Sequence, residues 1–210
     1  MLRPVLVATR NAGKLRELAP WFAAIGVSIE TLDDARLLAT LDEDELEIHD
    51  TFELNALAKA RWFSSKSRGR VVVAEDSGLV VDALHGAPGV RSKRWSGRSD
   101  LVGEVLDRAN NVYLLEQLAG VPEDARSARY VCAAACVWPE GEVVVRGETA
   151  GRIAVEPRGA RGFGYDPYFH ADDLGMTFAE AELDAKTRVS HRGRAFVGLV
   201  SALHARGVLS

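Results

Sequence analysis

The chain has little cysteine, no long apolar run and no surplus of positive charge, and each scarcity removes a class of protein. Its two cysteines, Cys132 and Cys136, both sit in the apolar stretch Tyr130–Trp138, which reads as a strand. Four residues at about 3.3 Å each set them roughly 13 Å apart, beyond the ~7 Å Cα limit for a disulfide. They are expected to be reduced core residues, with the cytoplasm as the default compartment. That same stretch is the longest apolar run, far below the roughly 20 residues of a membrane span. The shorter run within Met1–Arg10 is cut by Arg10 and is too short for a signal-peptide core. No membrane partner and no targeting segment are therefore expected.

Charge excludes a further class. Lys and Arg total 26 against 30 Asp and Glu, a net charge of −4. A broad grip on nucleic-acid backbone is driven by clustered cations, so no nucleic-acid partner is expected. A small anionic ligand needs only a few cations in one cleft and stays open. No G-x-G-x-x-G opens a helix after the first apolar run, which argues against a Rossmann oxidoreductase. No internal repeat or low-complexity tract occurs.

What remains is ordinary soluble composition, 47% hydrophobic and 27% charged over 210 residues. That length suits one domain, residues 1–210, with a proper core. Pro4–Thr9 is a continuous apolar run, the pattern of a strand buried on both faces. Asn11-Ala12-Gly13 turns the chain into a helix with Leu15, Leu18, Ala19 and Phe22 at helical spacing. Val27–Leu32 reads as a second strand, Asp42–Glu47 as an exposed acidic loop, Thr51–Ser67 as a helix and Val71–Ala74 as a buried strand. Ser99 is placed to N-cap an amphipathic helix carrying Leu101, Val105, Ala109, Val112, Leu115 and Leu118. Ala128–Trp138 and Glu142–Val155 read as two long strands joined through Pro139-Glu140-Gly141, a hairpin. A Gly- and Arg-rich loop, Pro157–Pro167, follows. A last helix runs from Ser190 to about Arg206, with Ala195, Leu199, Ala202 and Leu203 inward. Helix–strand alternation followed by a hairpin implies an α/β protein with a mixed sheet, flanking helices and two lobes.

Five segments carry chemistry. Gly162-Phe163-Gly164-Tyr165-Asp166-Pro167 sets two rings and a carboxylate on a backbone freed by glycine and stiffened by proline. Such a wall can stack on a nucleobase, though a tight turn needs the same residues. Thr9-Arg10-Asn11-Ala12-Gly13-Lys14 lies between a strand and a helix, where backbone N–H groups and the helix dipole favour anions. It is not a Walker A loop, since Leu15 stands where Ser or Thr would hold Mg²⁺.

Ala74-Glu75-Asp76-Ser77-Gly78 follows the buried strand and puts two carboxylates at its carboxyl end, where open α/β sheets place ligands. Hard oxygen ligands suit Mg²⁺, and strand alternation points only one of the two acids at a cleft. A charged turn is the plain alternative. In Thr51–Ala60, Asn55 and Lys59 form an i, i+4 polar pair that is usually solvated, though Lys59 turned toward a cleft could touch phosphate or hold a carboxylate. At Ser190-His191-Arg192 a good N-cap is followed by two cations that oppose the helix dipole, which suggests an anionic or carbonyl partner.

Taken together and in this order, with Gly86-Ala-Pro-Gly-Val90, these segments resemble the Ham1-type inosine/xanthosine triphosphate pyrophosphatases over nearly the whole chain. The resemblance implies an elongated mixed sheet, two lobes around a central nucleotide-binding cleft, a homodimer and Mg²⁺. It implies hydrolysis of non-canonical purine nucleoside triphosphates to monophosphate and pyrophosphate. Asp76 would then be the catalytic proton acceptor and a metal ligand, with Glu47 as the other metal-associated acid. Thr9, Arg10, Asn11, Ala12, Gly13 and Lys14 would hold the phosphates, and Lys59 and Ser77 would contact substrate. Phe163, Gly164, Tyr165, Asp166, Lys186, His191 and Arg192 would surround the base.

Two positions depart from the family pattern: Arg10 stands where a small residue is frequent, and Lys93-Arg94-Trp95 replaces Ala-Arg-Tyr. At an ordinary pKa of about 3.9, Asp76 would be a weak base, better suited to holding metal and orienting water. Two rival readings stand beside this one. A non-catalytic nucleotide sensor could dispense with Glu47 and Asp76, and both are present. A Maf-type pyrophosphatase would not share Gly162–Pro167 and Ser190–Arg192.

Overall fold

The computed structural model describes residues 4–209, so Met1–Arg3 of the amino-terminal reading lie outside the described residues. The elements run β1 (Val5–Val7), α1 (Ala12–Ala24), β2 (Ile29–Thr31), α2 (Phe52–Lys66), β3 (Val72–Val81) and α3 (Gly103–Gln117). After these come β4 (Ser127–Trp138), β5 (Gly141–Ile153), β6 (Phe169–Ala171), β7 (Met176–Thr177), α4 (Leu183–Val189) and α5 (His191–His204). Two longer 3-10 helices, Leu41–Glu47 and Gly89–Arg94, lie between them. The strands form one mixed sheet in the order β2-β1-β3-β4-β5-β6-β7. β1 pairs in parallel with β2 and β3, whereas β6 is antiparallel to β5 and to β7. The expected α/β architecture with a mixed sheet and flanking helices is present.

The chain divides into two compact units. The first comprises the chain through Asp76, Cys132–Gly147 and the segment from Ala195 onward; the second comprises Ser77–Val131 and Glu148–Arg194. Each has its own apolar core. In the first, Val5, Val7, Val73, Cys132 and Cys136 pack with Leu18 and Phe22 of α1 and Phe196, Leu199 and Leu203 of α5. In the second, Leu79, Tyr130, Ile153, Phe169 and Phe178 pack with Leu114 and Leu118 of α3. β1 is buried throughout, as its unbroken apolar run requires. Both cysteines are buried thiols, and burial pushes Cys136 up to about 12. Among the described residues, no helix is long and apolar enough to cross a membrane.

Four local expectations are corrected. Asp42–Glu47 is not a loop but part of the 3-10 helix, whose Thr40 and Glu43 form a reciprocal capping box. The side chains of Asp44 and Glu45 lie outside the described residues. The strand expected to stop at Ala74 runs on to Val81, so Glu75–Gly78 is strand interior and not a turn. Ser99 does not cap α3, which starts at Gly103 after Val102. The apolar stripe read along that helix is also rotated: Leu118 is buried as expected, but Val105 and Val112 are exposed, while Asn110, Asn111 and Leu114 are buried. Two buried asparagines broke the hydrophobic count and shifted the apparent face. Finally, β6, β7 and α4 were not foreseen, because three or two residues per strand leave no period to read.

Candidate active site

Two polar clusters hold the residues singled out in the sequence, one in each unit. In the first unit, β3 carries Glu75 and Asp76 side by side, both buried. Strand alternation sends adjacent side chains to opposite faces, yet the same two lysines act on both. Lys14 Nζ lies 3.5 Å from Glu75 Oε1, and its charge also bears on Asp76. Lys59 Nζ forms an ion pair with Glu47 Oε1 and donates to the Glu75 carbonyl at 3.0 Å. The Cys132 thiol donates to Glu75 Oε2 at 3.2 Å. Asn55, fully buried on α2, donates from Nδ2 to Asp76 Oδ2 at 2.9 Å.

The electrostatics follow from burial. Desolvation pushes the Asp76 carboxyl above its ordinary value, against the pull of Lys14 and Lys59, and Glu47 adds to the push. Asp76 is thus a better proton acceptor than an ordinary carboxylate, a correction to the sequence-based expectation. Burial alone would lower Lys59, but Glu47, then Asp76 and Glu75, hold its ammonium above its ordinary value. Three carboxylates against two ammonium groups leave this cluster with a negative excess.

The oxygen chemistry of the cluster fits a hard divalent cation. Among the described residues, no group of three or more His, Cys, Asp or Glu side chains could hold a metal ion alone. Mg²⁺ typically takes one or two protein carboxylates and completes its shell with substrate phosphates and water. Glu47 and Asp76 fit that mode, with Lys59 as an internal counter-ion to Glu47.

The turn Thr9–Lys14 caps α1. Asn11 Oδ1 accepts from Gly13 N at 2.8 Å and Lys14 N at 3.1 Å, and Asn11 N donates to Thr9 Oγ1. A cap of this kind contributes about 1 kcal/mol and fixes the turn. The Arg10 guanidinium is engaged elsewhere. It grips Glu43 through Nε (3.1 Å) and Nη2 (2.9 Å), and it reaches Leu37 O (2.7 Å) and Asp33 (3.3 Å). Arg10 therefore ties the turn to the 3-10 helix that carries Glu47.

The second unit holds the aromatic and cationic groups. Lys186 Nζ donates to Asp166 Oδ2 at 2.7 Å, with both side chains about 95% withdrawn from solvent. The same carboxylate oxygen accepts from Phe163 N at 2.9 Å, closing the loop on itself. The Lys186 ammonium lies 5.5 Å from the Phe163 ring centroid, and the Arg192 guanidinium lies 5.8 Å from it. Arg192 Nη2 also donates to Ser77 Oγ at 3.1 Å. His191 stacks on Tyr130 at 4.6 Å between centroids and 9° between planes. Ser190 Oγ caps α5 by accepting from Gly193 N at 3.0 Å.

The two loop aromatics divide their work. Phe163 is half-buried, but Tyr165 belongs to the core, with its hydroxyl donating to Ser92 O at 2.7 Å. Its ring anchors the loop and does not line it. Of the expected residues, Thr9–Lys14, Glu47, Lys59 and Asp76 are gathered in the first unit. Ser77, Phe163–Asp166, Lys186, His191 and Arg192 lie in the second. Asn55 was read only as half of a solvated pair, and Asp107 and Asn111 on α3, which bond to Gly164, were missed entirely. Two adjacent asparagines on the apolar side of a helix were the signal available.

A sequence profile of the Ham1 family matches residues 5–202. The dITP/XTP pyrophosphatase of Frankia alni is 49% identical over 201 residues, 95% of this chain and 96% of that protein. The dITP/XTP pyrophosphatase of Mycolicibacterium paratuberculosis is 51% identical over 203 residues, 96% of each. The solved structure of a HAM1 protein from Coxiella burnetii superposes with a TM-score of 0.80 at 32% identity. It covers 98% of this chain and 100% of its own.

Proposed function

The chain belongs to the Ham1 family, and we propose that it hydrolyses non-canonical purine nucleoside triphosphates, dITP, ITP and XTP, to the monophosphate and pyrophosphate. The observation that carries this reading is Asp76, buried, held by Asn55, and set among Glu47, Lys14 and Lys59. A sensor that only bound nucleotide would have no need of a buried carboxylate set among a second acid and two lysines.

Roles follow from chemistry. Lys14 and the Thr9–Gly13 turn, apart from the Arg10 side chain, meet the phosphates. Glu47 and Asp76 would hold Mg²⁺, which when bound would spread phosphate charge and lower the pKa of a coordinated water. Asp76 orients the attacking water and takes its proton. The water oxygen bonds to the α-phosphorus, the bond from that phosphorus to its bridging oxygen breaks, and pyrophosphate leaves. Lys59 pairs with Glu47 and brings positive charge to a site where negative charge builds up on the leaving group.

In the second unit, Phe163 offers a stacking face, and Lys186 and Arg192 offer donors to a 6-oxo purine. Adenine presents an amino donor at that position, and donors facing donors discriminate strongly. The whole chain is read as one pyrophosphatase domain. A homodimer is read from the family resemblance, and a cytoplasmic setting from the two buried thiols.

The test is to incubate the purified protein with inosine triphosphate or ATP, with and without Mg²⁺, and to identify products. Monophosphate and pyrophosphate from the inosine substrate, dependent on Mg²⁺ and nearly absent with ATP, is the expected result. Orthophosphate release would place the attack at the terminal phosphate and overturn the mechanism. An Arg192→Ala variant should narrow the preference for inosine over adenosine triphosphate, and an unchanged ratio would remove Arg192 from base selection.

A further inference from the structure

We propose that Asp107 and Asn111 of α3 are positioning residues for the purine site, setting the Phe163 ring by gripping both peptide planes of Gly164. This rests on the reading of Phe163 as the base-stacking face.

Asp107 Oδ2 accepts from Gly164 N at 2.8 Å, and Asn111 Nδ2 donates to Gly164 O at 2.9 Å. The two side chains stand four residues apart, so they project from one face of the helix. The N–H belongs to the peptide that joins Phe163 to Gly164, and the carbonyl to the peptide that joins Gly164 to Tyr165. Holding both fixes the backbone on the carboxyl side of Phe163. The amino side is fixed by Phe163 N donating to Asp166 Oδ2, and the next residue by the Tyr165 hydroxyl on Ser92 O. Every link around the ring is thereby tied to a different element.

The loop needs such ties. Gly162 and Gly164 both sit at positive φ, +77° and +64°, a region glycine enters easily but also leaves easily. At Gly164 a Cβ would meet nothing within 4 Å, so packing does not hold the residue in place. The two side chains of α3 do. Their environment is otherwise unfavourable to them. The Asn111 amide is buried and turned so that its NH₂ reaches the loop, and its Oδ1 has no hydrogen-bond partner among the described residues. Asp107 is half-buried, and desolvation, with Asp166 and Glu104 nearby, disfavours its charge. A merely structural helix surface would be better served by apolar or solvated groups at both positions.

The role predicts a specific kinetic signature. In Asp107→Ala, KM for inosine triphosphate should rise about tenfold, the change that loss of one charge-assisted hydrogen bond brings. kcat should move by less than about threefold, and inhibition by inorganic tripolyphosphate, which has no base, should be unchanged, because only base binding is affected. Asp107→Asn keeps an acceptor for Gly164 N and should restore most of the affinity. Asn111→Asp is isosteric, puts an oxygen against Gly164 O and should raise KM in the same way. Amide hydrogen exchange of the 162–166 segment should quicken in Asp107→Ala without nucleotide, a readout independent of turnover.

Wild-type turnover with an unchanged KM in Asp107→Ala and Asn111→Asp would overturn the role alone. Equal weakening of tripolyphosphate inhibition would make the effect a general loss of structure and would also overturn it. A wild-type protein that neither binds nor turns over a purine triphosphate would overturn the nucleotide reading, and this role with it.

Discussion

Asn55 Nδ2 donates to Asp76 Oδ2 at 2.9 Å, and the same amide also bonds both backbone groups of His49. One fully buried side chain on α2 thus fixes the candidate catalytic carboxylate and the segment two residues beyond Glu47. Asn55→Ala should lower stability by about 2–3 kcal/mol, because it strands buried partners, and should reduce kcat by roughly 10–100-fold. Urea titration with saturating-substrate rates measures both. Unchanged kcat in a destabilised protein would make Asn55 structural only.

Asp76→Asn should separate activity from stability. Loss of the proton acceptor should reduce kcat by about 10²–10⁴-fold. Burial raises the Asp76 pKa in the folded protein, so its charged form opposes folding. The sign is fixed: the wild type is relatively more stable when Asp76 is protonated and loses that advantage as pH rises through the raised pKa. Without metal, Asp76→Asn should melt above the wild type at pH 7, and the gap should shrink as pH falls into the acid range. A variant that melts lower at pH 7 would show that the contacts of Asp76 with Lys14 and Lys59 outweigh its desolvation.

The fold was legible where the chain repeats a period, and the site where residue types cluster. β1, α1, α2, the β4–β5 hairpin and α5 emerged from apolar spacing and caps, with ends off by no more than about two residues. β6 and β7 are too short to show alternation. Asp76 and Lys59 could be singled out from a strand end and an i, i+4 spacing, whereas Glu47 and Lys186 came only from the family resemblance. Asn55, Asp107 and Asn111 act through hydrogen bonds to backbone or to a single carboxylate, and that geometry leaves no trace in composition. Tyr165 shows the converse: an aromatic in a glycine loop suggests a ligand wall, yet its ring fills the core and only its hydroxyl is committed.

Lys186 and Asp166 form a buried ion pair, and the two sides of that pair should be energetically coupled. Lys186→Met removes the ammonium that pairs with the buried Asp166 carboxylate and should cost about 3–5 kcal/mol. Adding Asp166→Asn removes the stranded charge while keeping an acceptor for Phe163 N, and should recover more than half of the loss. A double-mutant cycle from denaturant melts gives the coupling. Additive losses would mean that the pair contributes as two independent groups.

Arg10 should matter through Glu47 and not through phosphate. Its guanidinium grips Glu43, Asp33 and Leu37 O, and Glu43 and Glu47 share one 3-10 helix. The pair is partly exposed, so Arg10→Ala should change global stability by no more than about 1 kcal/mol. The Mg²⁺ concentration for half-maximal rate should nonetheless rise several-fold, since the helix that presents Glu47 loses its tie. Inhibition by pyrophosphate at saturating Mg²⁺ should stay near wild type. The opposite pattern, weakened pyrophosphate inhibition with unaltered Mg²⁺ dependence, would return Arg10 to the phosphate role read from the sequence.

Gly162 and Gly164 should respond differently to the same substitution, although both have positive φ. A Cβ at Gly164 meets open space, so Gly164→Ala carries only the strain of a left-handed alanine, about 1–2 kcal/mol. A Cβ at Gly162 would run into the Asp166 carboxylate, on the oxygen that holds both Lys186 and Phe163 N. Gly162→Ala must therefore displace Asp166 as well as strain the backbone, and it should lower stability by at least ~2 kcal/mol more than Gly164→Ala. It should also weaken inosine monophosphate binding more than pyrophosphate binding, since the displaced carboxylate anchors Phe163 and Lys186. Thermal melts and calorimetric titration with each product test the two claims together. Equal stability losses in both variants would mean that Asp166 moves aside without penalty and is not the fixed point of the loop.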